Sequence, residues 1–154
     1  MNSIDLFGIA TLTLPQEWLQ HESDMKPDKS LNFGSQVPEI VLLNQNHEAG
    51  NLTIKCYQFD VKDEQQQQHL INSVYPQADY ETITEGVLCD LEELRGEEDG
   101  EDIVVTRWRI SSIKNADKFV LMTFSFSAAL ADLNSDAVNA DISNIENAIK
   151  QANW

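Results

Sequence analysis

Two long alternating segments near the C-terminus constrain the fold more than any other feature of the sequence. They are residues 103–113 (IVVTRWRISSI) and 118–128 (KFVLMTFSFSA), and only the polar residues KNAD separate them. Apolar side chains recur in both with a period of two, which is typical of strands with one buried face. The apolar faces consist of Val104, Trp108 and Ile110 in the first segment and of Val120, Met122, Phe124 and Phe126 in the second. The pair predicts an antiparallel hairpin with one face in the core.

The clearest helix signal lies at the C-terminus. Its apolar residues are spaced by four, three, four and three positions, which is the period of one helix face. They are Val138, Ile142, Ile145, Ile149 and Ala152. Ser135 is suited to be the N-cap of this helix. A second helix is predicted over residues 63–75, with Asp63 as its N-cap and Pro76 at its end.

Shorter patterns predict the remaining elements. Strands are expected over residues 5–14, 39–43 and 51–59, and short strands within 79–94. The polar connection 20–36 leaves room for a short strand at 31–33. Residues 95–102 (RGEEDGED) contain two glycines and five acids, and they predict a hairpin loop.

The stretch LPQEW, residues 14–18, predicts how the first strand ends. Pro15 has no backbone N–H and cannot continue a central strand ladder, so the strand should leave the sheet there. Trp18 is then expected to be buried against the end of the sheet, because large aromatic side chains favour the interior. A role for Trp18 in stacking on a ligand is the alternative.

Together these elements predict an α+β fold. The chain has 154 residues, a length that fits one domain spanning residues 1–154. We expect an antiparallel sheet of five to seven strands, with a central helix and a C-terminal helix packed on it.

This order of elements, together with the Leu14-Pro15-x-x-Trp18 stretch, resembles the Mog1/PsbP/DcrB group of small α+β proteins. The resemblance covers nearly the whole chain in element order. It implies an antiparallel sheet with helices on its two sides. The group has no shared active site, and its members include a binder of a small nuclear GTPase, a photosystem subunit, bacterial lipoproteins and adaptors for secreted toxins. The resemblance therefore implies a binding role and assigns no catalytic residue.

The charge of the chain bears on its partners. It has 26 acidic residues against 10 Lys and Arg, which gives a net charge of −16. Such a surface repels phosphate backbones and anionic membranes, so neither nucleic acid nor a membrane is an expected partner. A basic protein partner fits this charge better.

The N-terminus and the cysteines bear on location. The first ten residues, MNSIDLFGIA, contain no basic region and no long apolar run, so we expect no signal peptide and a cytoplasmic protein. Cys56 lies on the apolar side of a predicted strand and favours a buried free thiol. A disulfide between Cys56 and Cys89 is the alternative.

The sequence contains no pattern typical of an enzyme or a metal site. No two of the histidines, His21, His47 and His69, are spaced as metal ligands on a helix, and Cys-x-x-Cys is absent. The sequence also has no Gly-rich phosphate loop and no nucleophile motif. We therefore expect no metal, no cofactor and no catalytic activity.

The densest charged segment runs from Asp79 to Asp102. It holds 11 acids and a single base, Arg95. One interpretation is a solvated hairpin, and the other is a docking surface for a basic protein. The candidate binding residues are Glu92, Glu93, Glu97, Glu98, Asp99, Glu101 and Asp102. On the second interpretation the chain is a non-catalytic protein-binding domain, such as an adaptor or an immunity-type protein. The alternative function is a small-molecule or lipid carrier with an apolar cleft between helix and sheet.

Overall fold

A seven-stranded antiparallel sheet forms the centre of the computed structural model, which describes residues 1–21, 37–47 and 49–154. The strand order in the sheet is β3-β4-β5-β9-β8-β7-β6. The strands of this sheet are β3 (Trp18–His21), β4 (Glu39–Asn44), β5 (Gly50–Asp60), β6 (Glu81–Thr84), β7 (Val87–Glu98), β8 (Glu101–Ser112) and β9 (Lys118–Ala129). The predicted α+β class and sheet size are confirmed. The short strand predicted at 31–33 lies outside the described residues.

The first predicted strand, residues 5–14, is wrong in one respect. The chain forms two strands there, β1 (Asn2–Leu6) and β2 (Ala10–Leu14), and these pair with each other in a separate two-stranded sheet. Phe7 and Gly8 reverse the chain with φ angles of 58° and 75°. Glycine accepts positive φ without strain. Phe7 is a residue type that rarely does so, which is why the alternation alone suggests one continuous strand.

The predicted end of the strand at Pro15 and the burial of Trp18 are confirmed. β2 stops at Leu14, and the backbone N–H of Trp18 donates to the carbonyl of Pro15 at 3.1 Å. Trp18 then opens β3 with only 1% of its surface exposed. Its ring packs edge-to-face on Phe126, with the ring centroids 6.4 Å apart. Trp18 is therefore part of the core.

The C-terminal helix, α2 (Asp136–Gln151), contributes to the main core on one face of the sheet. Ser135 is its N-cap and accepts from the backbone N–H of Val138 at 3.3 Å, as the sequence predicts. The buried stripe differs from the predicted one because Ile142 and Ala152 are only half-buried. The buried residues of α2 are Val138, Asp141, Ile145, Ala148 and Ile149. A carboxylate therefore occupies a position on the buried face.

The other helix, α1 (Glu64–Val74), packs near one end of the opposite face of the sheet. Asp63 caps it and accepts from the backbone N–H of Gln66 at 2.8 Å. Beneath it lies a smaller apolar cluster of Val61, Ile71, Tyr75, Leu88 and Phe119. Phe119 alternates with the residues of β9 that face the main core, which is why it belongs to this second cluster. Much of this face beyond α1 carries polar side chains.

Candidate functional site

The predicted acidic hairpin forms a long two-stranded ribbon at one side of the sheet. β7 and β8 pair along their whole lengths, from Val87 with Ser112 to Glu98 with Glu101. The prediction of a loop over residues 95–102 is wrong, because only Asp99 and Gly100 form the turn. Their φ angles of 53° and 82° are those of the two-residue turn that matches the twist of a hairpin. We call this hairpin the acidic ribbon.

Among the residues that the structure describes, one edge of the acidic ribbon has no strand beside it over most of its length. The neighbouring strand β6 is short and pairs only with residues 87–89 of β7. Among residues 1–21, 37–47 and 49–154, no strand pairs with Asp90–Glu98 on the side away from β8. We call this side of Asp90–Glu98 the free edge.

The alternation of hydrogen-bonded and non-bonded pairs between β7 and β8 shows which backbone groups of the free edge point away from β8. The N–H of Ile113 donates to the carbonyl of Gly86 at 2.8 Å, so this opposing pair is a hydrogen-bonded one. Glu98 and Glu101, which flank the two-residue turn, form another such pair. Bonded and non-bonded pairs alternate in an antiparallel ladder. The residues with outward N–H and C=O groups are therefore Leu91, Glu93, Arg95 and Glu97.

Part of the negative charge of the ribbon is neutralised within the ribbon itself. Arg109 donates to both oxygens of Asp90, from Nε to Oδ1 at 2.9 Å and from one terminal nitrogen to Oδ2. Glu92 lies 3.4 Å from Arg107 and 3.8 Å from Arg109. Both arginines lie on β8, outside the acidic segment 79–102, so the sequence of that segment does not show this compensation.

The acids at the tip of the ribbon lack this compensation. Glu93 lies 3.3 Å from Arg95 in an exposed ion pair. The remaining candidates form no ion pair with any cation of the described residues, and they are Glu97, Glu98, Asp99, Glu101 and Asp102. The structure therefore brings the predicted residues together in one ribbon and places its uncompensated charge at the tip.

Arg109 lies opposite the first residue of the free edge and contacts Tyr75 as well as Asp90. Its guanidinium lies 5.5 Å from the centre of the Tyr75 ring, which is a cation–π distance. The Tyr75 hydroxyl lies 2.8 Å from that of Ser111 and donates to the carbonyl of Arg109. Burial raises the pKa of Tyr75, and the hydrogen bond with Asp90 raises that of Arg109. Both groups therefore keep their protons, and Arg109 holds Asp90 in place.

A cavity of about 450 Å³ opens where β6 ends and the free edge begins. Tyr75, Tyr80 and Leu91 give it apolar surface, and Glu81, Asp90 and Glu146 give it carboxylates. Arg109 and Lys150 also line it and form ion pairs with Asp90 and Glu146, so Glu81 is the carboxylate among these without a cation of the described residues beside it. We call it the edge cavity. Cys89 also lines it, but burial raises the pKa of this thiol to about 12, so the sulfur stays protonated at neutral pH.

A larger cavity of about 720 Å³ lies beside the tip of the ribbon. We call it the end cavity. Leu19, Leu43 and Ile103 supply apolar wall, and Glu98 and Glu101 border it. Neither helix lines it, so this cavity is not the cleft between helix and sheet that the carrier hypothesis expects.

A buried polar network lies beside the end cavity. Asp141 is 2% exposed and accepts from Nδ2 of Asn44 at 3.0 Å. Nε2 of His47 lies 2.9 Å from the other carboxylate oxygen. Nδ1 of His47 accepts from the backbone N–H of Ala49 at 3.1 Å, and Nε2 faces the carboxylate of Asp141. Both ring nitrogens of His47 therefore lie against protein groups.

Sequence reasoning missed the Asp141 network and the free edge. A signal for the first is present, because Asp141 lies three residues after Val138 and four before Ile145, on the buried face of α2. Nothing local signals its partners, since Asn44 lies 97 positions away in the chain. The free edge has no local signal either, because it depends on how far β6 extends.

Within residues 1–21, 37–47 and 49–154, no three His, Cys, Asp or Glu side chains are grouped as metal ligands would be. In the same ranges, neither helix has both the length and the apolar character that a membrane crossing needs.

Comparison with known proteins supports the fold. A solved protein from Bacteroides thetaiotaomicron VPI-5482 matches with a TM-score of 0.55 and 13% identity. The match covers 93% of this chain and 44% of that protein, so this chain spans less than half of its structural neighbour. No protein-family model and no curated protein matches the sequence. At this identity the likeness concerns the fold alone.

Proposed function

We propose that this chain is a non-catalytic protein-binding domain that recognises a basic partner through the acidic ribbon. The observation that carries the proposal is the uncompensated charge at the ribbon tip. Five carboxylates lie within the six residues Glu97–Asp102, and none forms an ion pair with a described cation. An adaptor or an immunity-type protein would use such a surface, and the resemblance to the Mog1/PsbP/DcrB group is consistent with this role.

The position of the tip supports the proposal. Toward the tip, the pairing of β8 with β9 stops at Ile103, which lies opposite Ala129. The turn therefore extends beyond the rest of the sheet. Like charges held close together repel each other and oppose folding. A partner of opposite charge would relieve this repulsion and would be attracted over about 8 Å at physiological salt.

The test compares two variants of equal charge. The tip variant is Glu97→Gln, Glu98→Gln and Asp99→Asn. The control variant is Glu64→Gln, Glu85→Gln and Asp117→Asn, three exposed acids at the opposite end of the sheet. A partner captured from the native source is measured for association rate against both variants and the wild type, at low and high salt.

We expect association to be slower at high salt and slower for the tip variant. The control variant should associate at nearly the wild-type rate, because its acids lie far from the tip. Equal rates for all proteins at both salt concentrations would refute the role of the ribbon.

A cytoplasmic location belongs to the proposal. Cys56 and Cys89 are both free and buried, which suits a reducing compartment. Burial raises the pKa of both thiols and keeps them unreactive.

A second candidate function, a small-molecule or lipid carrier, is favoured by the end cavity. Its volume of about 720 Å³ lies in the range typical of ligand pockets. Leu19 and Leu43 at its wall are 46% and 39% exposed. A thermal-shift screen distinguishes the candidates. A rise in melting temperature with a small apolar ligand, which a Leu43→Glu variant abolishes, would favour the carrier.

A further inference from the structure

We infer that the basic partner binds as an added β-strand, an extended Lys- or Arg-containing segment whose backbone pairs with the free edge of β7. This inference rests on the proposed function and specifies how the same ribbon is used. In strand addition, hydrogen bonds between the two main chains provide affinity, and contacts of alternate side chains provide specificity.

The free edge supplies the backbone groups that strand addition requires. The outward N–H and C=O groups belong to alternate residues, Leu91, Glu93, Arg95 and Glu97, and the ladder with β8 does not use them. β6 already occupies the first part of the same edge, up to the pair of Glu81 with Cys89. An added segment would continue the line of β6.

The chain itself does not continue along this line. Ala78 has a φ of 53°, and its N–H donates back to the carbonyl of Tyr75 at 3.0 Å. This turn carries the residues before β6 away from β7. The space that they leave is the edge cavity, which lies next to Leu91.

Charge determines which segment fits the edge. Strand β7 carries Asp90, Glu92, Glu93, Glu97 and Glu98 along its unpaired part, with Arg95 as the single base. Pairing two copies of this edge would place like charges opposite each other, which destabilises a sheet. A basic segment instead places opposite charges there. Self-association through this edge is therefore disfavoured.

The edge cavity suits one side chain of the added strand. Tyr80 and Leu91 are 37% and 54% exposed there, and the carboxylate of Glu81 lies on the same wall, whereas that of Glu146 already lies 3.6 Å from Nζ of Lys150. A Lys or Arg side chain has an aliphatic stem for such apolar surface and a cationic head for the Glu81 carboxylate. We therefore place a basic residue of the segment at this position.

The experiment uses a defined probe, a peptide of about eight alternating Lys and Val residues, which spans the length of the free edge. A second peptide has the same sequence but is N-methylated at every residue, so it keeps the charge and loses every backbone donor. Binding is measured by titration calorimetry against the wild type, Glu93→Pro and Glu93→Gln. The Pro variant removes one outward N–H without breaking the ladder with β8, and the Gln variant removes only the charge.

We expect the unmethylated peptide to bind, with a loss of about tenfold or more for the methylated peptide. Glu93→Pro should lose about tenfold in affinity, and Glu93→Gln should lose about twofold to threefold. Hydrogen exchange gives an independent result. Binding should protect the amides of Leu91, Glu93, Arg95 and Glu97 and leave those of the alternate residues unchanged, because these already donate to β8.

The outcomes separate the two proposals. Equal binding of both peptides, with no new amide protection, would overturn strand addition and leave charge-based recognition in place. Failure of both peptides to bind would overturn strand addition by a basic segment. If the captured partner is also insensitive to the tip variant, the proposed function fails as well. The comparison of the two peptides on the wild-type protein tests strand addition even if Glu93→Pro does not fold.

Discussion

Removal of His47 should destabilise the fold measurably, because it takes away the polar group beside a buried carboxylate oxygen. Asp141 is 2% exposed; one of its oxygens accepts from Asn44 at 3.0 Å, and the other lies 2.9 Å from Nε2 of His47. An orphaned buried acceptor costs about 1–3 kcal/mol, and a charged one costs more. The His47 side chain is itself 23% exposed, so water can replace part of the lost bond. We expect His47→Ala to lower the free energy of unfolding by about 2 kcal/mol.

The assay is thermal and urea unfolding at neutral pH. For a chain of this length, about 2 kcal/mol corresponds to a melting temperature lower by about 4–8 °C. The matched control is His69→Ala, which removes an exposed histidine from α1 and should change stability little. A loss for His47→Ala no larger than that of the control would refute the network.

The pH dependence of this loss gives a sharper test. Burial raises the pKa of Asp141, and the bonds from Asn44 and His47 offset part of that rise. When the pKa of a carboxyl group is higher in the folded than in the unfolded protein, the group favours folding at a pH below its pKa in the unfolded protein. This contribution is lost as the pH rises through its pKa in the folded protein. Removal of His47 should raise the folded pKa further. The penalty of His47→Ala should therefore be largest near neutral pH and shrink as acid protonates Asp141, and a penalty that grows in acid would contradict this.

Three further results are expected. Trp18→Ala should cost about 3–5 kcal/mol in unfolding free energy, because it empties a buried site against Phe126, and a native-like melting temperature would mean that Trp18 is not core. Gly50→Ala should also destabilise the protein in urea unfolding, since a Cβ there would lie 2.5 Å from the Phe126 ring and 2.8 Å from a backbone carbonyl, and unchanged stability would show that the ring moves aside freely. Cys56 and Cys89 should react with a thiol reagent only after denaturation, and rapid labelling of the native protein would contradict their burial.

Local patterns predict those parts of the fold that depend on neighbours in sequence. The alternation in residues 103–113 and 118–128 corresponds to β8 and β9, and the polar caps at Asp63 and Ser135 mark the starts of both helices. Each of these signals acts over a few residues. Side-chain period and capping hydrogen bonds are local physics, so one sequence is enough to detect them.

Features that depend on distant partners could not be predicted in this way. Asp141 shares the buried face of α2 with Val138, where a sequence pattern favours an apolar residue. It is tolerated because Asn44 and His47, which flank the turn after β4, place one polar nitrogen beside each of its oxygens. The composition of a helix face cannot show that such donors lie opposite it.

The acids of the ribbon have two separate explanations, and their positions distinguish them. Charged side chains on an exposed edge prevent strands of other copies from pairing there, and this protection alone would account for Glu93 and Glu97. Asp99 lies in the turn, and it protects no part of the ladder. If protection were the whole explanation, neutralising Glu93 and Glu97 should cause self-association, and the tip variant should associate with the captured partner at the wild-type rate. The charge at the turn is therefore not needed to protect the edge, and a basic partner would explain why it is there.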